Sequence, residues 1–360
     1  MISNRNFKNL LITGGCGFIG SNLIRTLLTK TDFDGKIINV DKLTYAGNRN
    51  SLIDIEEKFK DRYIFEHTDI CNETEISFFL NKYKVDAICH LAAESHVDRS
   101  IEGPDDFIVT NILGTFTLLE CARKYWNNNF EGKLFHHVST DEVYGSLGIE
   151  GFFHETTAYD PRSPYSASKA SSDHLVMSYY HTYNFPVTLT NCSNNYGPYQ
   201  FPEKLIPLMI DNMINEKPLP IYGEGKNIRD WLYVEDHNTA VWEVMKNGTL
   251  GETYNIGGEN EWQNIELVHT LCETVSSFLG KDKDYYKQLI KYVKDRPGHD
   301  QRYAIDCTKL KEKLNWNQSV TFEEGLKHTV KWYLENKDWI DNIKSGEYLS
   351  WIDKNYANRG

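Results

Sequence analysis

The sequence has few basic residues, prolines and glycines, and it lacks long apolar runs. Among its 360 residues, 39 Lys and Arg stand against 51 Asp and Glu, so the formal net charge is −12. A general nucleic-acid binder, whose surface is basic, is therefore excluded. The 24 glycines and 10 prolines are too few for a collagen-like or linker-like chain. No stretch approaches the roughly 18 consecutive apolar residues of a membrane helix, whereas 40% hydrophobic residues suffice for a core, so we expect a soluble globular protein.

The seven cysteines are scattered, and no two of them form a Cys-x-x-Cys pair. An odd number in a chain of this size indicates neither a disulfide framework nor a zinc knuckle. His96 and His299 are not accompanied by further ligands at metal-binding spacing, so we expect no bound metal. The N-terminus shows no apolar segment and cleavage site of a signal peptide, which favours a cytoplasmic location.

Short apolar segments alternate with helical patterns through the first part of the chain. We expect strands at 9–13, 36–41, 63–67, 87–91, 134–139 and 186–190, and helices at 19–28, 112–125 and 166–183. This alternation indicates βαβ units and a parallel sheet covered on both faces. Past residue 195, proline-bearing loops and shorter elements dominate, with helices expected at 264–279 and 322–335. We therefore predict an α/β fold: a Rossmann-type doubly wound parallel sheet with the catalytic residues over 1–195, and a smaller C-terminal substrate-binding lobe over 196–360, some segments of which return to the first domain.

A glycine-rich turn follows the first predicted strand. Gly14, Gly17 and Gly20 have the spacing of a turn that binds a pyrophosphate: the first allows the tight turn, the second a close backbone approach, and the third close helix packing. Alone, such glycines also occur in turns without a ligand. Asp41 ends the second strand 21 positions after Gly20, near the spacing of about 20 at which an acidic residue binds the adenosine ribose. Its carboxylate would repel a 2′-phosphate, so the pattern predicts NAD rather than NADP.

Tyr165 and Lys169 stand four positions apart near the start of a long predicted helix, so they share one face. A neighbouring cation favours the phenolate, and we expect it to lower the pKa of the tyrosine from about 10. The alternative is a solvated pair on a helix surface. Because the nicotinamide site is implied independently, we interpret the pair as one that takes a hydroxyl proton while hydride leaves the same carbon.

Four polar residues, Ser139, Thr140, Asp141 and Glu142, stand at the end of the fifth predicted strand. Ligands of open parallel sheets bind beyond the carboxyl ends of the strands. A helix or turn cap would explain one of these residues but not all four. Adjacent carboxyl groups in one site of low dielectric have their pKa values pushed apart, which leaves one as an acid and the other as a base. That division suits the elimination of water.

The glycine turn and the Tyr-x-x-x-Lys motif resemble the extended short-chain dehydrogenase/reductase superfamily. Within it, the runs at 41–48, 90–100, 139–145, 194–205, 220–223, 229–231 and 295–300 are similar to the dTDP-glucose 4,6-dehydratase family, over about residues 8–355. The triplet Thr140-Asp141-Glu142 separates relatives. UDP-galactose 4-epimerases resemble the chain but have small or uncharged residues in place of the two acids, and GDP-mannose 4,6-dehydratases and UDP-xylose-forming decarboxylases have Thr-Ser-Glu there.

The resemblance implies a homodimeric hydro-lyase of deoxysugar (rhamnose-type) biosynthesis, which converts dTDP-glucose into dTDP-4-keto-6-deoxyglucose and water with no net use of NAD. Tyr165, aided by Lys169 and Thr140, would take the C4 hydroxyl proton while hydride passes to nicotinamide. Glu142 would remove the C5 proton and Asp141 would protonate the C6 oxygen so that water departs, after which hydride returns to C6 and a proton to C5. A UDP-glucose 4,6-dehydratase, a 4-epimerase or a decarboxylase of the same fold is the alternative.

The resemblance also implies, position by position, which residues bind the two ligands. Those expected at NAD are Gly14, Gly17, Phe18, Ile19, Gly20, Asp41, Lys42, Leu43, Thr44, Asp69, Ile70, Leu91, Ala92, Ala93, Glu94, Ser95, Thr110, Tyr165, Lys169 and Asn195. Those expected at the sugar nucleotide are Ser95, Thr140, Asn194, Lys204, Leu205, Pro220, Ile221, Tyr222, Arg229, Asn264, Asp295, Arg296, Pro297, Gly298 and His299. Arg229 and Arg296 suit diphosphate oxygens, because a guanidinium presents a fixed fork of donors; an ion pair with Asp230 is the alternative for Arg229.

Overall fold

The structure, a computed structural model, describes residues 4–295 and 298–344. Its strands are β1 (Asn9–Thr13), β2 (Lys36–Asp41), β3 (Tyr63–His67), β4 (Ala87–His90), β5 (Leu134–Thr140), β6 (Val187–Cys192), β7 (Asn194–Tyr196), β8 (Leu219–Tyr222), β9 (Ile228–Tyr233), β10 (Thr253–Ile256), β11 (Glu261–Gln263) and β12 (Ile290–Val293).

The helices are α1 (Phe18–Lys30), α2 (Ile53–Lys58), α3 (Glu73–Tyr83), α4 (Val97–Glu102), α5 (Asp105–Phe107), α6 (Thr115–Trp126), α7 (Pro164–Tyr183), α8 (Leu205–Ile214), α9 (Val234–Asn247), α10 (Asn264–Leu279), α11 (Thr308–Leu314), α12 (Phe322–Glu335) and α13 (Lys337–Ile343). A π-helical segment (Ile108–Gly114) precedes α6, so the helix expected at 112–125 has two parts. Within the described ranges, no helix is both long and apolar enough to cross a bilayer.

A seven-stranded parallel sheet forms the larger part of the molecule, with strand order β10-β6-β5-β4-β1-β2-β3. The strand order reverses between β1 and β4, the place where ligands bind in doubly wound folds. Strands β4, β5 and β6 are buried along their whole length, as expected for a parallel sheet covered on both faces. The predicted doubly wound α/β fold is confirmed.

Apolar helix faces cover the two sides of this sheet. On one side, side chains of α1 such as Leu23 and Leu27 pack with Trp242 and Met245 of α9. On the other side, α3, α6 and α7 contribute a second apolar cluster. Because α9, β10 and α11 come after residue 195, the later part of the chain contributes to both the large sheet and one of its faces.

The remaining elements form a smaller lobe around a separate apolar cluster. Strands β7, β9 and β11 form one small sheet, and β8 pairs with β12 in another. Helices α8, α10 and α12 pack on them through residues such as Met209, Leu271 and Leu326. The division of the chain at residue 195 stays a prediction.

Candidate active site

A groove with an empty volume of about 1630 Å³ lies between the two lobes. It is lined by the residues that end or follow β1, β2, β4, β5 and β6, so it opens at the carboxyl edge of the sheet. Gln200, Phe201, Glu203 and Lys204 of the smaller lobe also line it. The groove therefore brings together segments that are more than a hundred residues apart in sequence.

The glycine turn forms the floor of this groove. Gly14 has a φ of +72°, and a Cβ added there would lie 2.7 Å from the backbone of Ala92. A Cβ on Gly20 would overlap the Gly14 carbonyl oxygen. Gly17 is the N-cap residue of α1 and has no side chain that could cover the start of the helix. Phe18 and Ile19 of the first turn line the groove. Backbone amides at this helix N-terminus suit a pyrophosphate.

Asp41 joins the glycine turn to the loop that follows β2. Its Oδ2 accepts a hydrogen bond from the Cys16 amide at 2.9 Å, and its Oδ1 accepts one from the Leu43 amide at 2.8 Å. Burial raises the pKa of this carboxyl, and the two backbone donors oppose that shift. A carboxylate oxygen can accept more than one hydrogen bond, so Asp41 fits both a structural role and the ribose hydroxyls.

Most residues expected at NAD lie together in the groove. Those that line it are Gly14, Gly17, Phe18, Ile19, Gly20, Asp41, Lys42, Thr44, Asp69, Ile70, Leu91, Ala92, Ala93, Glu94, Ser95, Thr110, Tyr165, Lys169 and Asn195. Leu43 contributes through its amide to Asp41. Lys42 Nζ lies 2.7 Å from Asp69 Oδ2 and ties the loop after β2 to the loop after β3. The close-packed glycines, the helix N-terminus and the strand-end carboxylate thus fit a dinucleotide.

Helix α7 positions Tyr165 and Lys169. The Ser163 side chain accepts a hydrogen bond from the Ser166 amide, and the Ser166 side chain accepts one from the Ser163 amide, while Pro164 occupies the first turn. This capping box starts the helix two residues before the position expected from the apolar pattern. Tyr165 consequently lies in the first turn and Lys169 in the next, and both line the groove.

The direction expected for the pKa of Tyr165 is wrong in this structure. Burial raises that pKa well above its usual value, and the Glu142 carboxylate raises it further. The Lys169 ammonium instead donates a hydrogen bond to the Val138 carbonyl at 2.9 Å and lies 3.4 Å from His137 Nε2. Burial lowers the pKa of Lys169, with Asp173 opposing the shift. The sequence shows that the two residues share a helix face but not what surrounds them.

The acid pair lies on a 3-10 turn, Asp141–Tyr144, directly after β5. Thr140 accepts a hydrogen bond from the Glu142 amide at 3.3 Å, and its hydroxyl lies 3.4 Å from Asp141 Oδ1. Burial raises the pKa of Asp141 well above its usual value, followed by the effects of Glu142 and Asp230. Within the described residues, Asp141 Oδ2 is buried with no hydrogen-bond partner. The surroundings therefore favour a protonated Asp141.

The residues expected at the sugar nucleotide fall into two groups. Ser95, Thr140, Asn194 and Lys204 line the groove, where Lys204 Nζ donates to the Ser95 carbonyl at 3.1 Å. A second group of the described residues does not line the groove and lies in and around β8, β9, α8, α10 and the segment after β12. Its members are Leu205, Pro220, Ile221, Tyr222, Arg229, Asn264, Asp295, Gly298 and His299. Arg296 and Pro297 lie outside the described residues.

The second group is held by polar contacts within and across the lobes. Tyr222 donates a hydrogen bond to Asp98 of α4 at 3.0 Å, and His299 Nδ1 lies 2.6 Å from Asp295. Arg229 donates to the backbone carbonyls of residues 228 and 300 and lies 4.3 Å from the ring centre of Tyr303. Asp230 accepts from the backbone amides of residues 258 and 260.

The sequence does not predict a polar bridge that joins the two lobes beside the groove. Tyr45 after β2, Arg99 on α4 and Glu203 of the smaller lobe form this groove bridge. The Arg99 guanidinium lies 3.8 Å from the Tyr45 ring centre and 3.2 Å from Glu203 Oε2. Tyr45 also makes a hydrogen bond with Glu203, whose side chain is 2% exposed. No spacing rule relates these three positions, so only the fold brings them together.

A search of residues 4–295 and 298–344 finds no group of three or more His, Cys, Asp or Glu side chains arranged to hold a metal ion.

Tyr303 is a further residue that the sequence does not indicate. Burial and the Glu142 carboxylate raise its pKa, so it lies in the electrostatic field of Glu142.

Comparison with known proteins gives consistent matches over nearly the whole chain. Residues 11–329 match the protein-family model described as GDP-mannose 4,6 dehydratase. A dTDP-glucose 4,6-dehydratase of Salmonella typhimurium is 56% identical, with 97% of this chain and 99% of the relative covered. A crystal structure of dTDP-glucose 4,6-dehydratase from Bacillus anthracis in complex with NAD has a TM-score of 0.83 and 46% identity, covering 94% of this chain and all of the other. The Streptomyces venezuelae enzyme, solved with NAD and TYD bound, has a TM-score of 0.84 and 43% identity, covering 93% of this chain and all of that one.

Proposed function

This chain belongs to the dTDP-glucose 4,6-dehydratase family, and from that premise we propose that it converts dTDP-glucose into dTDP-4-keto-6-deoxyglucose and water. It is a hydro-lyase that uses NAD without consuming it. NAD bound in the groove would supply a hydride acceptor for C4 of the sugar and a hydride donor for C6, and a proton would return to C5 as C6 receives the hydride. The residues that would hold it are those of the glycine turn, Asp41 and the loops after β2, β3 and β4, which line one side of the groove.

Tyr165 is the base for oxidation at C4 in this proposal. It lies in the first turn of α7, at the groove surface, and a hydrogen bond with Thr140 orients its oxygen. Because burial and Glu142 raise the pKa of the phenol, a cation is needed to form the phenolate. Lys169, on the same face of α7, provides that cation. Ketone formation at C4 then makes the C5 proton acidic.

Glu142 and Asp141 carry out the elimination. Glu142 is half-buried and takes the C5 proton, while buried Asp141 donates a proton to the C6 oxygen so that water leaves. The observation that carries this assignment is the different surroundings of the two neighbouring acids. A buried carboxyl with a raised pKa is a proton donor at neutral pH, whereas a less buried neighbour remains a base.

The reaction is tested by following a label on the sugar. With dTDP-glucose carrying deuterium at C4, the product is expected to carry the deuterium at C6, have lost the C6 oxygen, and leave the total NAD unchanged. A parallel incubation with UDP-glucose measures nucleotide preference. Recovery of a C4 epimer with deuterium still at C4 would contradict dehydration and favour an epimerase.

The residue assignments in the smaller lobe belong to the same proposal. Lys204 and Asn194 line the same groove as Asp141 and Glu142 and would contact the sugar and its diphosphate. Arg229 is buried against the Tyr303 ring, and its guanidinium would offer a phosphate oxygen a fixed fork of donors. The second group around β8, β9 and the segment after β12 would then hold the nucleotide, with residues 1–195 holding NAD.

We propose in addition that the protein acts as a homodimer in the cytoplasm. Ile108, Val109, Leu113 and Phe116 of the π-helical segment and α6 are 43–52% exposed and lie beside α7. Such a row of apolar side chains on neighbouring helices suits a protein interface. All seven cysteines lie in the described part of the chain and are free thiols, which suits a reducing compartment.

A further inference from the structure

A buried polar cluster lies behind the groove, on the far side of Lys169 from the reacting groups. Asp173 follows Lys169 by one turn of α7, and its side chain is 2% exposed. Its Oδ2 accepts hydrogen bonds from Ser139 Oγ at 2.8 Å and from Tyr159 OH at 3.0 Å. Among the described residues that line the groove are Lys169 and Ser139 but not Asp173. Asp173 thus lies on the helix that carries the base but does not line the groove.

A neutral imidazole lies between Lys169 and Asp173. His137 Nε2 is 3.1 Å from Asp173 Oδ1 and 3.4 Å from Lys169 Nζ. One ring nitrogen cannot donate to the carboxylate and accept from the ammonium at the same time. Burial lowers the pKa of His137 well below its usual value, and Lys169 lowers it further, so the ring carries no charge. The charge of Lys169 must therefore be balanced by another group.

Several titratable groups face Lys169 and Tyr165 from the elements packed around them. They are His90 on β4, His137 on β5, Asp141 and Glu142 on the turn after β5, Cys192 on β6, and Asp173 on α7 itself. Burial lowers the pKa of His90 and raises that of Cys192 to about 12, so both are neutral.

Asp173 is the remaining group whose charge acts on Lys169. Burial raises the pKa of Asp173 to about 6, against the opposing effects of Lys169, Ser139 and Tyr159, so the carboxyl is ionised at neutral pH. The acids of the turn act instead on Tyr165. An isolated buried cation would lose its proton, and the carboxylate of Asp173 opposes that loss.

We propose that Asp173 is the counter-ion that keeps Lys169 charged, and that it is thereby a positioning residue for proton transfer at Tyr165. This rests on the proposed function for the role of Tyr165. The test below is a spectral titration, so it stands or fails independently of whether the substrate is dehydrated. Without the carboxylate, Lys169 would become neutral at lower pH, and the phenol would then lose its neighbouring cation.

The sign of one pKa change tests this proposal. The absorbance difference between the NAD-bound enzyme and its Tyr165→Phe variant isolates the ionisation of Tyr165 among the 22 tyrosines. The same comparison is then made with Asp173→Asn present in both proteins. The titration of Tyr165 is expected to move to higher pH by about one unit or more, the size of shift that an opposite charge at close range causes. Removing an anion that acted directly on Tyr165 would instead move the ionisation to lower pH, and a purely structural residue would leave it unmoved; either result overturns the proposal.

Charge-matched variants separate charge from shape. Asp173→Glu and Asp173→Gln differ in charge but not in size. The upward shift in the titration of Tyr165 is therefore expected in the Gln variant and not in the Glu variant. This comparison holds even if the longer side chains, or Asp173→Asn, lower the stability of the protein. Tyr159→Phe removes one hydrogen bond to Asp173 but keeps the carboxylate, and should shift the titration much less. In a Lys169→Met background, Asp173→Asn should produce no upward shift. Lys169→Met alone should itself raise the pH at which Tyr165 ionises. If it does not, or if Asp173→Asn still causes an upward shift in the Lys169→Met background, Asp173 does not act through Lys169.

Discussion

Two adjacent residues on one short turn, Asp141 and Glu142, have different surroundings and therefore different tasks. Asp141 is buried beside Asp230 and Glu142, and these surroundings raise its pKa. Glu142 is half-buried and faces Tyr165. A strand that ends in Thr140 places both acids at the carboxyl edge of the sheet, where the ligand binds.

Replacing Asp141 by Asn is expected to slow the loss of water by about 10²–10⁴-fold, the usual contribution of a general acid. A 6-fluoro analogue of dTDP-glucose, whose leaving group needs less help from an acid, should be slowed much less. In the parent enzyme, the protonated form of Asp141 exists below its raised pKa, so elimination should fall as the pH rises through that value. Equal slowing of both substrates would remove Asp141 from the acid role. The rates are measured as appearance of the keto sugar.

The groove bridge acts between whole elements, because Tyr45, Arg99 and Glu203 join the loop after β2, helix α4 and the loop before α8. The same coenzyme must serve both halves of the reaction, so its release between them would end the cycle without product. A contact that holds the two lobes together beside the groove would slow such release.

Glu203→Gln is therefore expected to release NAD about tenfold faster, since a hydrogen bond to a charged group contributes about 1.5–3 kcal/mol and 1.4 kcal/mol is a factor of ten. The release is measured as loss of bound NAD after rapid dilution. Glu235→Gln, which breaks the exposed ion pair with Lys30, is the matched control and should release NAD at the parent rate. An unchanged rate for Glu203→Gln would show that the bridge does not retain the coenzyme.

The elements differ in how far the sequence predicts them. Strands such as β1 and β2 have the predicted bounds, because strands that are buried beyond their first residue appear in the sequence as apolar runs with glycine or polar ends. The apolar pattern predicts the start of α7 two residues late, because the cap at Ser163 is set by hydrogen bonds rather than by apolar spacing. The sequence does not predict the groove bridge or the buried cluster around Asp173, since their members come from distant segments that only the fold brings together.

At the scale of the molecule, the later part of the chain contributes to both lobes. Strand β10 and helices α9 and α11 pack with the first lobe, whereas β7 to β9 and α8 build the second. The groove between the lobes consequently depends on the whole chain. Periodicity identified the sheet, but the pairing of β10 with β6 requires knowledge of the complete topology.

The proposed homodimer is tested at the exposed row on α6 and the segment before it. Leu113→Asp combined with Phe116→Asp should weaken self-association, because charges would be buried in the interface. Phe78→Asp, at a side chain that is 57% exposed on α3, is the control and should leave association unchanged. Sedimentation over a range of concentrations measures the effect. A parent protein that sediments as a monomer would contradict the dimer.

The most direct test of the account is Glu142→Gln with dTDP-glucose in deuterated water. The account places Tyr165 and Lys169 at C4 and Glu142 at C5, so the variant should still bind NAD and oxidise C4, seen as absorbance of reduced nicotinamide on the enzyme. It should then fail to exchange the C5 proton with solvent or to release water. A Glu142→Gln enzyme that incorporates deuterium at C5 and forms product at the parent rate would contradict the central claim.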